Sequence, residues 1–113
     1  MAQALYQESL RIFQELGHKR GVARLLECFA CLAAAQSEAK RSLRLAGTAA
    51  ALRQRIGAPR PPAEQAKLES ILDSAREALS ETSRAAIWSE GWTMPVEKAI
   101  EEVLLPETAS PSG

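Results

Sequence analysis

The chain has 113 residues, 14 basic and 14 acidic side chains, 46% hydrophobic and 25% charged residues, the proportions of one ordinary globular domain. Alanine and leucine fill 35 positions, whereas valine, isoleucine and threonine fill 12 and aromatics five, a balance that favours helices and argues against a sheet. Two cysteines cannot build a disulfide scaffold, no apolar run reaches the ~20 residues of a membrane span, and the start MAQALYQESL has neither the basic lead nor the apolar core of a signal peptide. The expected setting is therefore cytoplasmic.

The first helix is predicted over Ala2–Leu16, with Leu5, Tyr6, Ile12, Phe13 and Leu16 near helical spacing and Gly17 at its left-handed stop. In the second, Val22, Leu25, Leu26, Phe29, Ala30 and Ala33 form a single apolar stripe. Gln36 and Ser37 end it, and Ser37 is the expected N-cap of a third helix over Glu38–Ile56. That helix would turn Ala39, Leu43, Ala46, Ala49, Ala50 and Ile56 inward and stop at Gly57. Ala58-Pro59-Arg60-Pro61-Pro62 reads as a stiff elbow. A fourth helix follows over Ala63–Leu79, with Leu68, Ile71, Leu72, Ala75 and Leu79 on one face. Ser80 should cap a short fifth helix, Glu81–Glu90, ended by Gly91. A sixth begins near Pro95 and carries Val96, Ala99, Ile100, Val103 and Leu104. The domain thus spans 1–105, and the polar, proline-bearing 106–113 reads as a disordered tail.

Charge is unevenly placed. Residues 1–60 carry ten basic and four acidic groups, and residues 61–113 carry four and ten. Lys40, Arg41, Arg44, Arg53 and Arg55 make the third helix a candidate basic patch, either for an acidic partner or nucleic acid or as a face that meets the acidic second half within the same fold. Zero net charge and the scarcity of base-reading amides, with only Gln54 among the arginines, make direct nucleic-acid binding the weaker reading.

Sites of chemistry are sparse. Cys28 and Cys31 form a C-x-x-C inside a helix, where buried free thiols are expected rather than a redox pair, and His18 alone cannot complete a zinc set with them. His18 reads as an exposed turn residue. Glu97, Glu101 and Glu102 lack the histidine of a di-metal helix motif and read as a solvated face. There is no phosphate-loop glycine pattern and no nucleophile–base pair. Neither an enzyme nor a cofactor is expected. Trp88 is expected in the core, and Trp92 against the last helix or, alternatively, on a ligand-stacking surface.

Helices of about 15 residues joined by tight turns suggest an antiparallel helical repeat. The segments LYQESLRIFQELGHKRGVARLLE, CLAAAQ, GAPRPPAEQAKLE and AAIWSEGWTMPVEKAI, in that order, resemble the C-terminal tetratricopeptide (TPR) region of large bacterial LuxR-type transcriptional regulators and related predicted ATPases. The resemblance covers Ala2–Leu105. It implies an all-α fold of about six helices in antiparallel hairpins, an α-solenoid fragment acting as a non-catalytic protein-interaction or sensor module. It also implies that the chain corresponds to the C-terminal part of a longer protein.

Ala2, Tyr6 and Ser9 match the small-aromatic-small row of a repeat's second helix, and Phe29 and Ala30 the large-small pair in the first helix of the next repeat. Ala2, Leu5, Tyr6 and Ser9 become the candidate interaction surface. Its partner would be upstream repeats or the NTPase part of a parent chain, or a second copy. The chain departs from the family pattern at Ser37 for a turn glycine, Ser42 for alanine, Ala46 for a large aromatic, Cys28 and Cys31 for glycine, and Trp92 for a polar residue. A DNA-binding regulator using the basic third helix is the alternative reading.

Overall fold

Helical periodicity, glycine stops and hydroxyl caps translate directly into six helices among the described residues. They are α1 (Ala2–Leu16), α2 (Lys19–Ala35), α3 (Ala39–Ile56), α4 (Pro62–Glu77), α5 (Glu81–Thr93) and α6 (Val96–Leu104). A computed structural model describes residues 2–104, with side chains from residue 4 onward. The tail expected at 106–113 and the Ala2 side chain lie outside the described residues. The fold is all-α and built of antiparallel hairpins. No described helix is long and apolar enough to cross a membrane.

The local signals act as their chemistry requires. Gly17 and Gly57 take left-handed conformations, at φ 68° and 66°, and the amides that follow bond back to Phe13 and Arg53 carbonyls at 2.9 and 3.0 Å. The Ser80 hydroxyl accepts the Ser83 amide at 3.1 Å and so caps α5. Pro62 occupies the first turn of α4, where its missing amide hydrogen costs nothing.

Two expectations are corrected. Ser37 does not cap α3: it sits at φ 62°, and the Glu38 amide bonds back to Ala33 at 2.8 Å. The chain turns left-handed between α2 and α3, and with no glycine in that connection the serine adopts the conformation. Gly91 does not end α5 either. The helix runs on to Thr93, and Gly91 is buried where α5 crosses α3, a Cβ there falling 2.1 Å from the Arg44 carbonyl oxygen. Gly47 on α3 is also tight, though less so, its Cβ position 2.8 Å from the Trp88 carbonyl oxygen. The Thr48 hydroxyl donates to the Gly91 carbonyl at 2.7 Å and locks the crossing.

The α2 stripe faces inward as its spacing requires, and Leu68, Leu72 and Ala75 of α4 and Ala99, Ile100 and Val103 of α6 join it. The apolar spacing of the third helix predicts a single buried face. Instead α3 packs against α2, α4, α5 and α6 and buries ten residues around its circumference, including Ser42, Gly47 and Thr48. Small side chains permit this: the Ser42 hydroxyl donates to the Ala30 carbonyl at 2.7 Å, satisfying its own burial. The last helix returns to the first, where the Gln7 side-chain amide donates to the Val103 carbonyl at 2.9 Å.

Gly91→Ala should lower stability by about 2 kcal/mol, because a backbone clash outweighs the ~1 kcal/mol of helix propensity gained. The urea unfolding midpoint measures this. Ser37→Gly should act oppositely and raise stability by about 0.5–1 kcal/mol in the same assay, by relieving the left-handed strain.

Candidate interaction surfaces and grooves

α1 divides its apolar residues between two faces. Tyr6, Leu10 and Phe13 turn toward the core: Leu10 is fully buried, and the Tyr6 ring meets Phe29 edge-on, centroids 6.0 Å apart at 74°. Leu5, Ile12 and Leu16 stay 66%, 50% and 71% exposed. Of the residues expected to form one surface, Leu5 thus points outward, Ser9 is half-buried, and Tyr6 finds its partner within the chain. Ile12 and Leu16, which the sequence placed in the helix but not on that surface, extend the exposed line, since 5, 9, 12 and 16 recur at spacings of four, three and four.

The basic residues of α3 are dispersed rather than gathered. Arg41 pairs with Glu38 at 3.4 Å. Arg44 pairs with Glu90 of α5 at 3.8 Å and closely with Glu102 of α6, so the basic first half does meet the acidic second half here. Arg53 is buried and grips Glu27 of α2 through Nε at 2.5 Å and Nη2 at 3.1 Å, while its Nη1 donates to the Ala58 carbonyl at 3.0 Å. Arg60 of the elbow donates to the same Glu27 carboxylate at 2.6 Å. Lys40 and Arg55 remain exposed, with no ion pair among the described residues.

The Glu27–Arg53–Arg60 cluster escaped the sequence reading. Its only sequence signal is a lone acid between the apolar residues Leu26 and Phe29. Two guanidiniums on one buried carboxylate hold the elbow and α3 to α2, and charge-assisted bonds compensate the desolvation of all three groups. The network continues outward through Gln65, which accepts from Arg60 and donates to Glu69 at 2.7 Å.

Several clefts open on this framework among the described residues, and two of them are distinguished by their lining. One, of about 400 Å3, lies between α3, α4 and α5. Ala46 and Ala50 line its floor, and Trp88 of α5 forms one wall. The other, of about 540 Å3, lies among the ends of α1, α2, α3 and α5 and the start of α6. Trp92, 39% exposed, forms part of its wall.

His18 is exposed, as expected of a turn residue, and it also caps α2, because its Nδ1 accepts the Gly21 amide at 2.9 Å. Cys28 and Cys31 are half-buried free thiols. Burial is the main cause that pushes both thiols up from their ordinary value; nearby Glu27 adds to it, and Arg24 opposes it at Cys28. Glu102 is drawn to Arg44, Glu97 rims the larger groove, and Glu101 stays exposed. Among the described residues no group of three or more histidine, cysteine, aspartate or glutamate side chains could hold a metal ion.

A thiol raised in the folded state stabilises the fold fully below the ordinary thiol pKa, and this contribution is lost as pH rises through the folded value. Iodoacetamide should therefore alkylate the native chain more slowly than free cysteine at pH about 8, and stability should decline above the ordinary thiol range, a decline that Cys28→Ala/Cys31→Ala reduces. In comparison with known proteins, no family model, curated protein or solved structure matched the chain.

Proposed function

We propose that the chain is a non-catalytic helical-repeat interaction module, and that α1 offers its docking face to a helix of a partner protein. The observation that carries this reading is the line of Leu5, Ile12 and Leu16 on the outer side of α1, each at least half exposed. Three large aliphatic side chains in register on one helix are costly to leave in water and mark a contact site. The resemblance to the TPR regions of LuxR-type regulators supports the same reading, in which such repeats sense a ligand or partner and restrain the NTPase and DNA-binding parts of the parent chain.

The spacing of positions 5, 9, 12 and 16 is that of a two-stranded helical seam. Glu8 and Glu15, both exposed, flank it on the side away from the core. A second α1 laid antiparallel would set Glu8 against Glu15 of the other copy, which like-charge repulsion disfavours. A partner helix with an apolar seam and lysine or arginine flanks fits better, and upstream repeats of a parent chain are the natural source. The basic residues of α3 lend no comparable support to DNA binding, because Arg41, Arg44 and Arg53 already hold carboxylates.

A synthetic amphipathic helix with a leucine seam and lysine flanks should bind the wild-type chain, and Ile12→Glu should weaken that binding about tenfold or more without lowering the melting temperature. Tyr6→Glu should instead destabilise the fold, since Tyr6 packs on Phe29. Calorimetric titration and thermal melts separate the two outcomes. Peptide binding that is absent in the wild type, or unchanged by Ile12→Glu, removes α1 as the docking face. Concentration-dependent light scattering abolished by Ile12→Glu would identify a second copy as the partner.

A further inference from the structure

The larger groove uses none of the exposed α1 line, and its chemistry differs. Its volume of about 540 Å3 is that of a small-molecule site. Its floor is apolar, because the buried core residues Val22, Leu52 and Ile100 present their outer edges to it. Trp92 stands at its side, 39% exposed, whereas Trp88 packs against the core.

Two cations stand over this floor. Lys19 opens α2, and Arg55 lies in the last turn of α3. Both are exposed, both line the groove, and neither makes an ion pair among the described residues. Glu97 is the one carboxylate on the lining. The first turn of α6, from Val96, forms part of the rim, and its amide end favours a negative group. The carbonyl end of α3 opposes it, and Arg55 offsets that end.

We infer that this groove binds a small free organic anion: a carboxylate, sulfonate or phosphate that carries an aromatic or aliphatic body. The body lies on the apolar floor against the Trp92 ring, where offset stacking and burial act together. The anionic head meets Arg55 and Lys19 through charge-assisted hydrogen bonds. An uncharged apolar ligand would leave the cations unused, and an inorganic anion alone would leave the floor wet. This site goes beyond the protein-docking role of α1 and stands independently of it.

The test uses the full chain and the fluorescent probe anilinonaphthalene sulfonate, an aromatic body with one anionic head. The wild type should bind it at one saturable site, with energy transfer from tryptophan. Arg55→Glu and Lys19→Glu should each weaken binding about tenfold, Trp92→Ala should weaken it too, and added salt should weaken wild-type binding. Lys40→Glu, an exposed cation outside the groove, should leave affinity unchanged. Thermal melts confirm that each variant folds, and Arg55→Gln and Lys19→Gln serve where a charge reversal does not.

The inference fails if the dye does not bind, if the charge variants leave its affinity unchanged, or if uncharged phenylnaphthylamine binds equally well. It also fails if Ile12→Glu abolishes dye binding, which would place the dye on α1. Loss of peptide docking with dye binding intact would retain this site whatever becomes of the α1 reading.

Discussion

Everything in this fold is arranged around one helix that is surrounded. α3 must accept α2, α4, α5 and α6 at once, and a helix can do this only if its side chains are small where neighbours come closest. The tightest point is the crossing with α5. Gly47 and Gly91 remove the two Cβ atoms that would meet backbone, and Thr48 spans the gap with a hydrogen bond to the Gly91 carbonyl. That contact explains why α5 lies on α3 rather than beside α4, its neighbour in sequence. It also explains why a glycine can sit inside a helix despite its low propensity: the loss of about 1 kcal/mol is offset by the burial that close approach allows.

Electrostatics complete what packing begins. Two of the four arginines of α3 act as internal fasteners, and each fixes a different joint. Arg53 holds α2 and the elbow through Glu27 and the Ala58 carbonyl, and Arg44 holds α5 and α6 through Glu90 and Glu102. A buried cluster of this kind adds little net stability over an apolar replacement, but losing its single carboxylate would strand two guanidiniums. Its value lies in orientation: it sets where the proline elbow leaves α3 and therefore how α4 comes to wall the smaller groove.

With those cations engaged and the aliphatic stripes of α2, α4 and α6 buried, two surfaces retain unspent chemistry. The outer line of α1 is apolar with an acidic edge, which suits a basic amphipathic helix. The larger groove sets an apolar floor beneath a polar mouth that carries two cations and one carboxylate, which suits an organic anion. The two are separated by helical phase: Phe13, on the core-facing side of α1, contributes to the groove, whereas Ile12 and Leu16 belong to the outer line. One element can thus serve a partner and border a ligand without either occluding the other.

Residue type and spacing alone dictate the six helices, the stops at Gly17 and Gly57, the Ser80 cap and the inward faces of α2, α4 and α6. These signals act over three to five residues, so local pattern carries them. The same pattern finds the apolar residues of α1 but misplaces Tyr6, because two apolar faces on one helix share nearly the same periodicity. Long-range packing is what encloses α3, makes Gly91 a contact rather than a stop, and draws Arg44 and Arg53 out of the basic run into pairs with other helices. Arg53 meets Glu27 across 26 positions and Arg44 meets Glu102 across 58, distances over which no local pattern operates. The grooves belong to the same class, since empty space between helices is a property of how they are assembled and leaves no mark on any one of them.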